Sequence, residues 1–404
     1  MSNIAQGLSK SVYYKKEDAG WGEVPTVLTG AKTIRRVTAN FNLNKETYQS
    51  DEIRTDYQMS DFRHGVRSVE GTINGELSPS SYTDFIGSAL ARDFTAGATA
   101  SAVEVDVSAT APHFIRSVGS WITDGIKVGD IIRTDGLTAT VDDNKNMLVI
   151  ALTATDMTVV VLDKSTLTAA TGDTADFEVM GSKTFVPETG HTSDSYTVEE
   201  WYGDIAQSEV FTGNKVNTIG ISLPATGMAT IDISFMGKDR QVTGTTKYFT
   251  SPTAQGASGI FAAVNGALVV DGAVIALVTS LSVNVNRNLT MEPVVGSNVY
   301  PDIFDGRALV DGEFSYFFID EVVRDYFDNE TEISLIAALT TSNLPDADVM
   351  TVVLPRIKVN GSSRNDGEVG IVGTAPFQAL LNKDGGTGTA TEKTTIVIQD
   401  TSVV

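Results

Sequence analysis

Between Ile34 and Leu43 the chain alternates apolar and polar residues with a period of two. Val37, Ala39, Phe41 and Leu43 fall on one side and Thr38, Asn40 and Asn42 on the other, which predicts a strand buried on one face. A long polar loop, Leu43 to Ser60, leads to a second such strand. There Val69, Gly71, Ile73, Gly75 and Leu77 point one way, and Glu70, Thr72, Asn74 and Glu76 the other. The period then lengthens. Tyr82, Phe85, Ile86, Ala89 and Leu90 form the apolar stripe of a helix, with Ser78 as its expected cap and Pro79 at its first position. A helix laid on one face of an antiparallel sheet leaves the other face to water.

The pattern is written twice. Asp61, Gly65, Val69, Glu70, Gly71, Asp84 and Phe85 recur as Asp302, Gly306, Val310, Asp311, Gly312, Asp325 and Tyr326, at a constant offset of 241 residues. Upstream, Val37–Asn42 is echoed by Leu281–Asn286 at an offset of 244, so the length change is confined to a loop, where change is tolerated. In the second copy Asp320 is the expected cap, and Val322, Val323, Tyr326 and Phe327 the buried stripe. Strands at Tyr196–Tyr202, Val210–Val216 and Met228–Met236 complete the first copy; Glu332–Leu339, Val349–Val359, Ala375–Leu381 and Thr394–Gln399 complete the second.

Between the first helix and Tyr196 the texture differs. Thr95–Ala102 is a small-residue linker, and Phe114 to Val179 is all short strands and turns, including Asp124-Gly125 and Val128-Gly129-Asp130, which predicts a small barrel. The second copy has no counterpart before Glu332, so the barrel is an insertion. The predicted fold is mainly β: two tandem β-sandwich domains, each with a flanking α-helix, plus an inserted small β-barrel domain. The first repeat takes residues 1–94 and 183–250, the barrel 95–182 and the second repeat 251–404. Residues Met1 to Gly30, polar with Tyr13, Tyr14 and Trp21, are expected to be an extended arm.

Composition narrows the function. The 404 residues are 41% hydrophobic and 20% charged, enough to bury sizeable cores. A net charge of −22 with pI near 4.4 repels nucleic acid and anionic membranes, although it also serves plain solubility. The absence of cysteine removes disulfides and thiolate chemistry, and suits a reducing compartment. Met1–Gly7 lacks the apolar core of a signal peptide. The apolar run Gly266–Val283 is interrupted by Asp271-Gly272, a type I′ hairpin signal, so it reads as two strands and no membrane insertion is expected.

Candidate chemistry is sparse. His64, His113 and His191 stand at no metal-binding spacing. Asp142-Asp143-Asn144-Lys145-Asn146 lacks the spaced acids and distal Glu of a calcium loop and reads as a turn. Asp384-Gly385-Gly386-Thr387-Gly388 lacks the Lys of a phosphate loop and reads as a hairpin turn between strands. No Gly-x-Ser-x-Gly elbow is present. No catalytic residue, metal or cofactor is expected, and no enzyme.

The run Glu52–Gly65 (Glu-Ile-Arg-Thr-Asp-Tyr-Gln-Met-Ser-Asp-Phe-Arg-His-Gly), followed by Val69-Glu70-Gly71 and Gly75-Glu76-Leu77, resembles the major tail tube proteins of long-tailed, non-contractile bacteriophages. Asp124–Asp130 in the insertion and Leu354-Pro355-Arg356 share the likeness. The resemblance implies a virion protein, made in the host cytoplasm, whose sandwich assembles into stacked rings around a DNA channel. With two copies per chain, three chains make a pseudo-sixfold homo-oligomeric ring. Its partners would be the tail tip, the terminator and a tape measure inside the tube, with genomic DNA passing without binding. Four strands per copy give about twenty-four around the ring at ~4.8 Å spacing, roughly 37 Å across before strand tilt widens it.

The wet sheet face would line that channel: Thr38, Asn40, Asn42, Glu70, Thr72, Asn74 and Glu76, then Ser282, Asn284, Asn286, Asp311, Glu313 and Ser315. All are acidic or neutral, a wall along which phosphates slide. An ordinary solvated strand face would carry the same residues; the resemblance decides for the channel. Loops 44–60 and 287–301 are the expected ring-to-ring contacts, through Glu46, Tyr48, Glu52, Ile53, Arg54, Met291, Val294 and Tyr300. The alternative function is an all-β phage or bacterial surface adhesion protein, with the barrel as its binding module.

Overall fold

A computed structural model describes residues 4–241, 244–262, 266–274, 278–366, 368 and 370–403. Three strands open the chain: β1 (Lys10–Lys16), β2 (Lys32–Thr33) and β3 (Thr38–Gln49). β4 (Phe62–Glu76) leads into helix α1 (Thr83–Leu90) and the short β5 (Thr95–Ala96). The insertion follows with β6 (Thr99–Ser108), β7 (His113–Arg116), β8 (Ile131–Asp135), β9 (Met147–Leu152), β10 (Asp156–Val161) and β11 (Ala170–Val179). The chain returns through β12 (Ser182–Phe185), β13 (Tyr196–Tyr202), β14 (Gln207–Pro224), β15 (Thr230–Gly237) and β16 (Asp239–Gln241). The second half holds β17 (Gly266–Val270), β18 (Ala273–Val274), β19 (Val278–Asn286), β20 (Thr290–Met291), β21 (Ile303–Phe304) and β22 (Leu309–Phe317). After helix α2 (Val322–Asp328) come β23 (Glu332–Thr340), β24 (Val349–Val359), β25 (Ser363–Arg364), β26 (Val372–Ala379) and β27 (Val397–Asp400).

The strands of the two halves pair in the same order. In the first half β3–β4–β15–β14 lie side by side, while β14 at its other end carries β16 and, through β13, β1. In the second half β19–β22–β26–β24 lie side by side, with β27 and, through β23, β17 on the other end of β24. Two β-sandwich domains result, each with one helix. The alternation read from the sequence is why they close: Ala39, Phe41, Val69, Ile73 and Leu77 are buried with Val310, Phe314 and Phe377 in one large core. The repeated glycine has a steric reason in each copy. A Cβ on Gly71 would lie 2.2 Å from the Phe41 ring, and one on Gly312 would lie 2.2 Å from the carbonyl oxygen of Ser282.

Several local expectations are corrected. Val37 is not buried; it is 63% exposed where the edge strand begins. Ser78 and Pro79 do not start α1: Ser80 turns with a positive φ of 56°, and the helix begins at Thr83 with Tyr82 as its cap residue. The expected loop after Leu43 begins as strand, because β3 runs to Gln49 against Phe62–Arg67 of β4, with a bulge of β4 opposite Glu46; residues 50–60 remain a loop. Its side chains are polar on both faces, so no hydrophobic period marks it. The N-terminal arm contains an integral strand, β1, whose Val12, Tyr13 and Tyr14 are buried beside β13. Around α2, Val323 and Tyr326 pack on the core, but Val322 and Phe327 are 45% and 43% exposed. Asp384–Gly388 does not join paired strands, since β26 and β27 both pair with β24 and the loop between them leaves the sheet. At Asp271-Gly272 the φ values of 48° and 76° belong to the expected type I′ hairpin, β17 against β18; Ile275 lies outside the described residues.

The inserted strands close a barrel in the order β10-β7-β6-β11-β8-β9, and the expected linker 95–102 already contributes β5 and the start of β6. Phe114, Trp121, Met147, Met157 and Phe177 fill its interior. Its outer wall is not free. Ile131 and Leu148 are buried against Val269, Ile336, Ala338, Val349, Val353 and Val397 of the second sandwich. Polar groups lock the same contact: Gln399 accepts from Ile131 N–H at 2.8 Å and donates to Met180 O at 2.7 Å. Lys183 Nζ reaches Asp130 and Glu392 at 3.0 and 3.3 Å. Burial pushes the Asp130 carboxyl up, partly offset by Lys183. The expected plain turn at 142–146 is part of this joint, because Asn146 donates to Pro345 O and Ala347 O. On the barrel's entry and exit, β5 and β12 extend the second sandwich's sheet through β27.

Candidate functional site

β14 turns the two sandwiches into one sheet. From Thr218 to Ser222 it pairs with β15 on one side and with β19, from the other sandwich, on its opposite side. A single register line therefore crosses the whole width: Thr38, Asn74, Asp232, Gly220, Asn284, Asp311, Gln378 and Lys358 stand opposite one another in turn. Opposed residues share a face, and alternate residues along a strand do too. The structure thus brings all thirteen expected lining residues to one side of one sheet: Thr38, Asn40, Asn42, Glu70, Thr72, Asn74, Glu76, Ser282, Asn284, Asn286, Asp311, Glu313 and Ser315.

Side chains on this face satisfy one another. Thr38 Oγ1 donates to Asn74 Oδ1 at 2.9 Å, and Asn74 Nδ2 donates onward to Asp232 Oδ1. Thr218 and Ser234 hydroxyls lie 2.6 Å apart. Asp232, Thr218, Ser222, Ser234, Thr374 and Gln378 belong to the face and were missed: Asp232, Ser234 and Gln378 lie on expected strands whose polar sides were not read, while Thr218, Ser222 and Thr374 lie outside the expected Val210–Val216 and Ala375–Leu381. Lys358 is the one cation on the register line; Glu330, and Glu332 opposite it on β23, lie 3.7 and 3.8 Å from its Nζ.

The two expected contact loops meet at one end of the sheet. Tyr48 and Tyr300 both donate to Glu46, at 2.7 and 3.3 Å, and Arg67 N–H donates to Asn298 O at 3.0 Å. The Glu46 hydrogen bond raises the Tyr48 phenol's pKa; burial, then Glu46, raises that of Tyr300. Glu52, Ile53 and Arg54 lie at the exposed tip of the β3–β4 arm, and Ile53, Tyr57 and Val295 are fully exposed. Met291 is half-buried in β20, opposite Ile303, and Val294 is 47% exposed.

The internal seam between β14 and β19 has its own design. Asn217 bulges from β14; its carbonyl accepts from Arg287 N–H at 2.9 Å and its Oδ1 from Leu289 N–H at 3.1 Å. Ile86, Ala89 and Leu90 of α1 roof the seam over Ile219, Ile221, Val283 and Val285. Lys215-Val216-Asn217 recurs as Lys358-Val359-Asn360, a repeat the sequence reading missed. Its offset is 143, not 241, because only the first half carries the barrel between its helix and this strand.

Among the described residues no group of three or more acidic or histidine side chains could hold a metal ion. No helix among them is long and apolar enough to cross a membrane. A broad polar face on a continuous sheet, backed by closed cores, is the make-up of a mainly β structural protein. The sequence matches the family described as phage tail tube protein over residues 7–379, and the chain belongs to that family. It is accordingly a structural component of a phage tail that assembles with other copies of itself and with other tail proteins. A search of curated proteins returned no match.

Proposed function

We propose that three chains, each a duplicated building block, join their sheets into a pseudo-sixfold ring, and that rings stack into the tail tube of a non-contractile phage. The pieces are those expected from the sequence: residues 1–94 with 183–250, the inserted barrel 95–182, and 251–404. The tube's inner wall is the polar face that carries Glu70, Glu76, Asp232, Asp311 and Glu313. The genome slides along it during ejection because like charges keep phosphates from settling. A tape measure fills the bore before ejection, and tip and terminator proteins cap the ends.

The observation that carries this reading is the register line that crosses both sandwiches and, up to the acid-paired Lys358 at its end, puts acidic and neutral side chains on one face. Closing such a sheet on itself also removes the exposed strand edges that invite aggregation. The loops that meet around Glu46 project along the tube axis and touch the next ring. Replacing Glu70, Glu76, Asp311 and Glu313 with Lys is expected to spare assembly and slow DNA ejection. An unchanged ejection rate from phage carrying those tubes would remove the lining assignment.

A further inference from the structure

The outer ends of the sheet are unequal, and the internal seam explains both. At that seam Arg287 N–H donates to Asn217 O, so by the alternation of an antiparallel ladder the residues reaching across are Val285 and Val283. Their counterparts on β3 are Phe41 and Ala39, whose backbone groups face the open edge. In the single chain these groups are covered. Lys10 Nζ donates to Ala39 O at 2.8 Å, and Phe41 N–H donates to Glu200 Oε1 at 3.1 Å. Lys10 and Glu200 also pair with each other at 2.8 Å, and Glu200 is buried. The two side chains form a clip on the edge, a guard against uncontrolled strand pairing.

The opposite end is uncovered. Val359 stands opposite Phe377 and Ser363 opposite Thr374, so one extra residue bulges between them, as Asn217 does between Val216 and Gly220. Ser363 is therefore the counterpart of Gly220, which stands opposite Asn284, and Asn284 is the counterpart of Asn40. Asn360 is exposed where Asn217 is partly covered. Phe327, the counterpart of Ile86, is 43% exposed where Ile86 is 1%. Three of the features that receive β19 at the internal seam thus recur exposed at this end, in Asn360, Ser363 and Phe327, although Ser362, Arg364, Glu330 and Thr331 stand where Ile219, Ile221, Ala89 and Leu90 do.

We propose that the seam between copies repeats the internal one: residues 360–365 of one chain displace the Lys10–Glu200 clip of the next and pair antiparallel with its Val37–Leu43. Ser363 then faces Asn40 of the next copy, Asn360 receives its Leu43 N–H, and Phe327 closes over its Ala39 and Phe41 strand. Lys10 and Glu200 keep each other as partners after release, so no buried charge is orphaned. The proposal rests on the ring reading and adds to it a particular edge, register and latch.

Because the chain has no cysteine, engineered pairs report cleanly. Ser363 and Asn40 would form a non-hydrogen-bonded pair with Cα atoms ~4.5 Å apart, within disulfide range. Shifting one partner by two residues gives a diagonal of about 7–8 Å, beyond it. Tubes of Ser363→Cys/Asn40→Cys, oxidised and run without reductant, are expected to give dimers and trimers; Ser363→Cys/Asn42→Cys is expected to stay monomeric. As a second measurement, Phe327→Lys is expected to leave the monomer folded by circular dichroism and to abolish assembly. Tubes that form but cross-link in the shifted pair, or not at all, overturn the seam while leaving the tube reading standing, as does normal assembly of Phe327→Lys. Failure of the unmodified chain to form rings or tubes overturns both.

Discussion

Leu148 tests whether the barrel is an ornament or a fixture. In β9 the neighbouring residues divide: Val149 points into the barrel's own core, whereas Leu148 points out, to Val269, Ile336 and Val353 of the second sandwich. Both are 0% exposed. On a barrel that merely decorated the tube, Leu148 would be a surface residue and Leu148→Ala would change stability by less than ~0.5 kcal/mol. Docked as described, the same change removes a fully buried side chain and leaves a cavity, worth about 2–5 kcal/mol. With a urea dependence of ~2 kcal/mol per molar, the midpoint should fall by roughly 1–2.5 M. Trp121, fully buried in the barrel, is the reporter, in a background where Trp21 and Trp201 are replaced by Phe. Val149→Ala is the control and should lower the midpoint under either view. A Leu148→Ala midpoint equal to the parent's, with Val149→Ala lowered, would refute the docking argument.

Two further outcomes follow from local geometry. Gly312→Ala forces a Cβ to within 2.2 Å of a backbone carbonyl that the sheet holds in place, and should destabilise by at least ~1–3 kcal/mol in thermal unfolding. Gly71→Ala meets only the Phe41 ring and should be milder; the reverse order would contradict the packing described. Asp142 is buried, which opposes its charge, but Lys145 Nζ at 2.9 Å and Thr168 N–H at 2.7 Å outweigh burial and hold its carboxyl below the ordinary 3.8. Native Asp142 thus binds fewer protons than unfolded, so its contribution is complete above pH ~4 and lost as pH falls through the depressed value. Asp142→Asn should lower barrel stability by about 1.5–3 kcal/mol at neutral pH and flatten this acid limb; an unchanged limb in acid titration would count against the pairing.

Much of the sheet was legible because one face meets a core and the other meets water: Val69, Gly71 and Ile73 against Glu70, Thr72 and Asn74 is a pattern only that situation produces. The polar-face residues on β3, β4, β19 and β22 were found this way. The arm beyond Leu43 was not, since a hairpin wet on both faces has no period to read. α2 misled for the opposite reason: Val322 and Phe327 have the spacing of a buried stripe, but within one chain they are only partly covered. The barrel's docking left a sign that went unread. Met147-Leu148-Val149-Ile150 has no polar alternate, and a strand apolar on both sides is one buried on both sides. The recurrence of Asn217 as Asn360 was hidden by arithmetic, since an insertion between helix and strand in the first half gives the repeated features two different offsets.

In the three-chain ring proposed above, two kinds of joint would alternate. The β14–β19 joint is laid down as the chain folds and is roofed by α1, so it cannot part without unfolding its own subunit. The joint proposed through Ser363 would exist only between molecules and would first have to unfasten the Lys10–Glu200 clip. Under internal pressure or a bending load, yielding would be confined to every second joint. A tube built this way fails along three lines per ring rather than six, and mends by re-closing them.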